Sequence, residues 1–101
     1  MAIVIDPEKN EPRALFDMAD FSKQHVLEVG CGNGRVTWFY AEKAARVTAI
    51  DPSADQIALA REQLPSPLQD RVEFRAVAFE VFAAASPSSA FDIVLLSSSL
   101  C

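Results

Sequence analysis

The apolar positions of this chain repeat with two different periods, and each change of period predicts a boundary between elements. Short apolar runs, rich in β-branched residues, predict four strands at residues 26–29, 46–50, 71–77 and 93–96. Helical spacing after the first two strands predicts helices at 35–45 and 53–64, and Ser53 with Gln56 forms the capping box of the second helix. Residues 78–85 fit either a short helix or a loop.

The residues ahead of the first strand carry weaker signals. Residues 6–10 form a polar lead-in, and Asn10 followed by Glu11 and Pro12 predicts the start of a helix that covers one side of the sheet. The brief apolar run before them lacks the basic flank of a signal peptide, and no apolar stretch approaches membrane-spanning length. We therefore expect a soluble cytoplasmic protein without a membrane segment.

The alternation of strands and helices predicts an α/β fold. Strands that follow one another through helical connections imply right-handed βαβ units and a parallel sheet. Within 71–77 apolar residues alternate with the charged Glu73 and Arg75, which is typical of an edge strand with one wetter face. The unbroken apolar run at 93–96 is instead typical of a central strand that is buried on both faces.

Composition limits the size of the protein and its partners. The chain has 101 residues, half of them hydrophobic, which fits a single small domain over residues 1–101 with a packed core. The formal net charge of −5 disfavours a surface that binds nucleic acid or anionic membranes. Two cysteines, Cys31 and Cys101, and the single histidine, His25, provide neither a disulfide framework nor a metal cluster, so no metal site is expected.

The most informative stretch is a glycine turn at the end of the first predicted strand. Gly30, Gly32 and Gly34 stand at alternate positions after an apolar run, and a helical pattern follows them. A strand, a glycine turn and a helix in this order bring backbone N–H groups against the polar tail of a ligand. In a dinucleotide fingerprint a third glycine would stand where this chain has Arg35, so a nicotinamide oxidoreductase is the weakest alternative.

The pattern E-x-G-x-G-x-G over residues 28–34 resembles the first motif of the class I S-adenosylmethionine-dependent methyltransferases, and the resemblance extends from about Val26 to the C-terminus. It implies a Rossmann-like parallel sheet with flanking helices, in strand order 3-2-1-4, and S-adenosyl-L-methionine as the cofactor. Glu28 would then be a partly buried carboxylate near the cationic methionine amino group. The cofactor would bind on the turn formed by Gly30, Cys31, Gly32 and Gly34.

The ends of the other three strands carry the remaining candidate residues. Asp51 ends the second strand about 20 residues after the first glycine, where a carboxylate accepts hydrogen bonds from two ribose hydroxyls. At the third end the resemblance implies an acid that binds the adenine amino group, but the aligned position holds Ala78. Either Glu80 takes over this role, or backbone and packing alone hold the adenine, with Phe79 lining the pocket. At the fourth end, the resemblance puts Ser97 near the methionine part of the cofactor.

The family fold usually continues past the fourth strand with elements that complete the acceptor pocket. This chain ends at Cys101, so we expect an N-terminal cofactor-binding half, truncated after a fourth strand that is left at the edge of the sheet. An apolar edge strand exposes unpaired backbone groups, which predicts self-association through the strand at 93–96.

Two functions follow from the resemblance. The first is methyl transfer from S-adenosyl-L-methionine to an acceptor that the sequence does not identify, with a small molecule favoured and a nucleic acid disfavoured. The second is a non-catalytic module that binds the cofactor or a partner without turnover, because it lacks the acceptor site. An acceptor that must lose a proton requires a general base, and no residue identifies itself as that base, so the catalytic residues stay unassigned.

Overall fold

The structure is a computed structural model that describes residues 2–5, 21–34, 36–85 and 90–97. Within these residues it contains five strands and two α-helices, which are β1 (Ala2–Ile5), β2 (His25–Val29), β3 (Arg46–Asp51), α1 (Ala54–Gln63), β4 (Val72–Ala76), α2 (Phe79–Ala85) and β5 (Ile93–Ser97). Short 3₁₀ turns lie at Thr37–Phe39, between β2 and β3, and at Ser66–Leu68, between α1 and β4.

The five strands form one parallel sheet in the order β1-β5-β2-β3-β4. β2 pairs with β3, where His25 lies opposite Arg46, and with β5 on its other side, where Val26 lies opposite Ile93. The four strands predicted from the sequence therefore occur in the predicted order, with β4 at an edge of the sheet. A parallel sheet with helices packed on it confirms the Rossmann-like α/β fold.

The prediction that the fourth strand lies at an edge is wrong. β1 pairs in parallel with β5, with Ile3 opposite Leu95 and Ile5 opposite Ser97. β5 has hydrogen-bonded neighbours on both sides, so it offers no open edge for the self-association that the sequence predicted. The signal that sequence reasoning passed over is the β-branched run from Ile3 to Ile5, whose residues favour extended backbone.

The segment after the glycine turn is not the continuous helix predicted at 35–45. In its described part, the 3₁₀ turn at Thr37–Phe39 leads into hydrogen-bonded turns, although the Ala41 N–H still reaches the Thr37 carbonyl at 3.0 Å. The β-branched and aromatic residues at 36–40 have low helix propensity, because a helix restricts their side-chain rotamers. Local preference and the tertiary contacts described below therefore favour tight turns here.

Apolar side chains cover both faces of the sheet. One face packs against Ile57 and Ala60 of α1, and the buried strand residues on it are Val26, Val47, Ala49, Val72, Phe74, Ile93 and Leu95. The other face packs against Phe82 of α2, through Leu27, Val29 and Ile50. α1 and α2 consequently lie on opposite faces, because neighbouring residues of a strand point to opposite sides of the sheet.

The N-terminal cap of α1 forms at Ser53 as the sequence predicts, but a different side chain completes it. The Ser53 hydroxyl oxygen accepts the Gln56 N–H at 3.3 Å, as a capping box requires. The Ser53 N–H, however, donates to Asp51 Oδ1 at 2.9 Å, so Asp51 takes the part predicted for the Gln56 side chain. The end of β3 is thereby tied to the first turn of α1. The open choice at 78–85 is settled in favour of a helix, which is α2.

Three sequence expectations concern features other than the sheet. The helix predicted to begin at Glu11 lies outside the described residues. None of the described helices is long and apolar enough to cross a membrane. Within the same described ranges, no group of three or more His, Cys, Asp or Glu side chains is arranged to hold a metal ion.

Candidate functional site

The carboxyl ends of neighbouring parallel strands meet along one edge of the sheet. β2 ends at Val29, which lies opposite Ile50 of β3 and Leu96 of β5. Asp51, the next residue of β3, lies opposite Ala76 at the end of β4. β2 and β5 are adjacent although β3 and β4 come between them in the chain, and ligands of open parallel sheets bind at such a switch point.

The glycine turn adopts the tight conformation that the sequence predicted. The φ angle is +79° at Gly30, +57° at Gly32 and +89° at Gly34, a region that glycine enters without steric penalty. The N–H groups of Gly30 and Cys31 both donate to the Ile50 carbonyl, at 2.9 and 3.1 Å. These two hydrogen bonds hold the turn against the end of β3.

Asp51 links the glycine turn to α1 through both of its carboxylate oxygens. Oδ2 accepts the Gly32 N–H at 3.0 Å, and Oδ1 accepts the Ser53 N–H at 2.9 Å. The residue is only 7 % exposed, and hydrogen bonds to an ionised acceptor are strong in such a place. Because each carboxylate oxygen accepts up to two hydrogen bonds, Asp51 retains acceptor capacity for the hydroxyl groups of a ligand.

Glu28 is a fully buried carboxyl group in β2, rather than the partly buried one that was expected. Its Oε1 accepts hydrogen bonds from the Thr37 hydroxyl at 2.7 Å and the Tyr40 hydroxyl at 2.6 Å, while Oε2 has no hydrogen-bond partner among the described residues. Burial raises the pKa of Glu28 above its ordinary value of 4.5, and the Tyr40 and Thr37 hydrogen bonds oppose this shift. Burial also raises the pKa of Tyr40, so its hydroxyl remains a donor at neutral pH.

Cys31 is a buried thiol at the centre of the glycine turn. Burial raises its pKa strongly, and the nearby acidic side chains of Glu28 and Asp51 raise it further. The Cys31 Sγ lies 3.6 Å from the Gly32 carbonyl oxygen. A thiol held in its protonated form is a poor nucleophile, so Cys31 contributes its backbone to the site.

Two features favour glycine at position 34, which are its positive φ angle and the close approach of an aromatic side chain. A Cβ atom placed on Gly34 would lie 2.7 Å from Trp38 Cζ2. Trp38 in turn packs edge-to-face on Phe74 of β4, with 5.7 Å between ring centroids. The third glycine of the motif therefore lets the indole pack over the turn.

A cavity of about 120 Å³ lies beside Asp51 at the strand ends. It brings together four of the predicted site residues, Gly30, Asp51, Phe79 and Glu80. Phe79 is 44 % exposed and Glu80 is exposed, both in the first turn of α2. Ala78, which stands where the resemblance implied an acid, also lines this cavity. A carboxylate on one side and an aromatic ring on another suit a ligand that combines hydroxyl groups with a flat ring.

A larger cavity of about 380 Å³ lies away from the strand ends, beside β4 and the end of α1. Three arginines line it, but Arg61 donates to the Phe74 carbonyl at 2.7 Å and Arg71 donates to the Glu42 carbonyl at 2.8 Å. These bonds tie two of the guanidinium groups to the protein backbone. We therefore assign the candidate site to the smaller cavity and the glycine turn.

Sequence reasoning missed the hydroxyl groups that surround Glu28. Thr37 and Tyr40 are three residues apart, which is the spacing that brings side chains together on one side of a helical turn. That spacing was a signal, but their pairing with Glu28 depends on how the segment packs on β2. The side chain of Ser97 lies outside the described residues, so its predicted role stays a prediction.

Comparison with known proteins adds an independent finding. A family model described as a methyltransferase domain matches residues 26–101. The probable cobalt-precorrin-6B C(15)-methyltransferase (decarboxylating) of Methanobrevibacter smithii is 37 % identical over 70 residues, which cover 66 % of this chain and 37 % of that protein. A ubiquinone biosynthesis O-methyltransferase of Leptothrix cholodnii is 36 % identical over 69 residues, which cover 68 % of this chain and 29 % of that protein.

The fold has counterparts among solved structures. The precorrin 8W decarboxylase of Methanobacterium thermoautotrophicum is similar with a TM-score of 0.72 and 27 % identity, over 88 % of this chain and 48 % of that chain. The chain spans about a third of the length of the curated relatives that it matches.

Proposed function

This chain belongs to the class I S-adenosylmethionine-dependent methyltransferases, and from that premise we propose that it is the cofactor-binding part of an enzyme that methylates a small molecule. The observation that carries the proposal is the cavity bordered by both Gly30 and Asp51. A carboxylate can bind the ribose of a nucleoside ligand, and a glycine turn can bind its charged tail. Here both groups line the same cavity.

Asp51 is the residue we propose for the ribose hydroxyls of the cofactor. Its two oxygens already accept backbone N–H groups, at 2.9 and 3.0 Å, which fixes the plane of the carboxylate. The second acceptor position on each oxygen is suited to two vicinal hydroxyl groups. Because the side chain is pre-organised by the backbone, little conformational entropy is lost when the ribose binds.

Phe79 is the residue we propose for the face of the adenine ring. Its partly exposed ring lines the same cavity as Asp51, and base–aromatic stacking is independent of a particular hydrogen-bond pattern. Ala78 offers no side-chain acceptor for the adenine amino group. The exposed carboxylate of Glu80 in the same cavity wall is the acceptor we propose in its place.

We propose that the methionine end of the cofactor lies at the glycine turn and Glu28, and the resemblance of the sequence adds Ser97 to this end. Oε2 of Glu28 is buried and has no hydrogen-bond partner in the described part of the chain, and an ammonium group is a matching donor for its ionised form. The backbone of Gly32 and its neighbours lets a ligand approach closely because no Cβ stands in the way. These features fit S-adenosyl-L-methionine, and they make Glu28, Gly30, Cys31, Gly32, Gly34, Asp51, Phe79, Glu80 and Ser97 the proposed cofactor residues.

Bound S-adenosyl-L-methionine supplies a methyl group that is already activated on a sulfonium centre. The role of this chain is to bind the methyl donor, to orient it and to exclude water. Positioning therefore accounts for most of the rate enhancement. Relatives carry names that refer to cobalt-precorrin and to ubiquinone biosynthesis, and the net charge of −5 disfavours a nucleic acid. We therefore propose a small-molecule acceptor, and the expected cytoplasmic location stays a proposal.

Calorimetric titration of the purified chain with S-adenosylhomocysteine tests the proposal. We expect micromolar binding by the wild type and at least about tenfold weaker binding by Asp51→Asn, because an amide cannot replace an ionised acceptor. Asp55→Asn is the matched control, since Asp55 is an exposed acid in the first turn of α1. Absence of binding by a folded wild-type chain, or equal loss in both variants, would overturn the assignment.

A transfer assay separates the enzyme from the non-catalytic alternative. The chain is incubated with S-adenosyl-L-methionine that carries a labelled methyl group and with a panel of phenolic and tetrapyrrole acceptors. Label in an acceptor supports the enzyme. Cofactor binding without transfer to any acceptor of the panel favours a binding module.

A further inference from the structure

One oxygen of the buried Glu28 carboxyl accepts two hydrogen bonds, while the other has none from the residues that the structure describes. Thr37 and Tyr40 both donate to Oε1, at 2.7 and 2.6 Å, and Oε2 is buried without a partner within residues 2–5, 21–34, 36–85 and 90–97. All three residues are fully buried. A buried polar atom without a hydrogen-bond partner is unfavourable, so this arrangement leaves the Oε2 position open for a group of the ligand.

The described surroundings of Glu28 contain no compensating cation. Level with it in the sheet lie Ala49 of β3 and Leu95 of β5, both uncharged. The titratable groups that interact with it are Cys31 in the glycine turn and Tyr40 in the segment after it, both neutral when protonated. Asp51, at the end of β3, interacts with the same Cys31 and adds a second acid to the site.

We propose that Thr37 and Tyr40 are positioning residues, which hold Glu28 for the ammonium group of the cofactor, and that Glu28 releases a proton when this group binds. The inference rests on the proposed function, because it takes the methionine ammonium as the incoming cation. In the free chain, burial favours the protonated form of the carboxyl. On binding, its O–H bond breaks, the proton leaves to solvent, and the carboxylate pairs with the ammonium group.

The direction of this linkage follows from the contacts of Glu28. Burial raises its pKa, and the hydroxyl bonds from Tyr40 and Thr37 lower it again. An opposite charge within hydrogen-bond distance stabilises the ionised form, so the bound cofactor lowers the pKa. Removing either hydroxyl raises the pKa of Glu28 and makes ionisation harder. The affinity for a cationic ligand then falls, although nothing that touches the nucleoside has changed.

Two conservative substitutions remove the hydroxyl groups and keep the packing. Tyr40→Phe retains the ring that stacks on Phe21, with 5.1 Å between centroids, and Thr37→Val retains the branched shape. We expect each to weaken S-adenosylhomocysteine binding about tenfold, the effect of losing one hydrogen bond to a charged group. Binding of 5′-methylthioadenosine, which has the nucleoside but no amino-acid part, should stay within about twofold.

Calorimetry in two buffers of different ionisation enthalpy counts the protons released on binding. At about pH 6 an α-amino group with an ordinary pKa of about 7.7–8.0 is protonated before it binds. We expect the wild type to release a fraction of a proton with S-adenosylhomocysteine and none with 5′-methylthioadenosine. Glu28→Gln should release none with either ligand. If Thr37 or Tyr40 had only a structural role, its substitution would weaken the binding of both ligands equally.

Carbon-13 titration of the Glu28 carboxyl gives a readout without ligand, with its resonance assigned by the Glu28→Gln variant. A higher pKa in Tyr40→Phe and Thr37→Val supports the positioning role, and an unchanged pKa in both overturns it. Binding of S-adenosylhomocysteine without proton release, or release that persists in Glu28→Gln, overturns the linkage and leaves the proposed function standing. Absence of any binding by the wild type overturns both.

Discussion

The backbone N–H of Gly32 donates to Oδ2 of Asp51 at 3.0 Å, across 19 positions of sequence. The other oxygen of the same carboxylate holds the Ser53 N–H at the start of α1. One side chain thus joins the glycine turn after β2 to the helix after β3. The geometry of the candidate cofactor site depends on Asp51 before any ligand arrives.

We predict that Asp51→Ala lowers the free energy of unfolding by about 2 kcal/mol, because two N–H groups lose a charged acceptor. Asp51→Asn should lower it by about half as much, since the amide oxygen still accepts one of the two bonds. Urea denaturation followed by the fluorescence of Trp38, the single tryptophan, measures both changes. Asp55→Ala serves as the control, and equal midpoints for Asp51→Ala and the wild type would contradict the structural role.

Gly34→Ala should destabilise the chain for two separable reasons. A φ of +89° is strained for alanine, and its Cβ would lie 2.7 Å from Trp38 Cζ2. Together we expect a loss of about 2 kcal/mol in the free energy of unfolding. In a Trp38→Leu background the contact disappears and the backbone strain remains, so the loss from Gly34→Ala should shrink. Circular dichroism is the measurement, and an equal loss in both backgrounds would assign the whole effect to the backbone.

Phe79→Ala should separate ligand affinity from stability. Because Phe79 is 44 % exposed, its removal should change the free energy of unfolding by less than about 0.5 kcal/mol. Loss of one base–aromatic stack, worth about 1–3 kcal/mol, should weaken S-adenosylhomocysteine binding about tenfold. Val81→Ala is the matched control, since Val81 is 61 % exposed on the same helix and lies outside the residues that line the cavity. Equal affinities of the two variants would remove Phe79 from the adenine site.

The parts of the fold that the sequence predicted correctly depend on local pattern. The strands alternate or run apolar according to their burial, and the glycines at 30, 32 and 34 require positive φ angles, so both features can be recognised without tertiary contacts. β1 was missed because four residues carry little pattern, and its stability comes from pairing with β5. The helix predicted at 35–45 failed for the opposite reason, because an apolar spacing was present but the residues favour turns.

The positions of the candidate residues were predictable wherever a residue occupies the end of a strand, and their role as a site stays a prediction. Asp51 and the glycine turn follow directly from strand positions, since parallel strands end along one edge. The contacts of Glu28 were not predictable, because they depend on a packed segment that brings the hydroxyls of Thr37 and Tyr40 onto β2. Long-range side-chain pairs of this kind leave no periodic signal in the sequence.

Glu28 also predicts how stability depends on pH. Its ordinary pKa of 4.5 applies to the unfolded chain, and burial raises the pKa in the folded chain. Between these two pKa values the folded chain binds more protons than the unfolded chain. The stabilisation that Glu28 contributes is therefore fully present below about pH 4.5 and is lost as the pH rises through the folded pKa. The limiting slope of the free energy of unfolding is about 1.4 kcal/mol per pH unit.

Glu28→Gln removes this titration and keeps an oxygen that accepts the Thr37 and Tyr40 hydroxyl bonds. We therefore predict that the variant gains stability relative to the wild type as the pH is raised from about 4.5 to neutral, while it loses affinity for S-adenosylhomocysteine. Urea unfolding at several pH values measures the difference in slope, with Glu73→Gln, an exposed glutamate of β4, as the control. Parallel pH profiles for Glu28→Gln and the wild type would mean that Glu28 is ionised in the folded chain and that its burial is compensated.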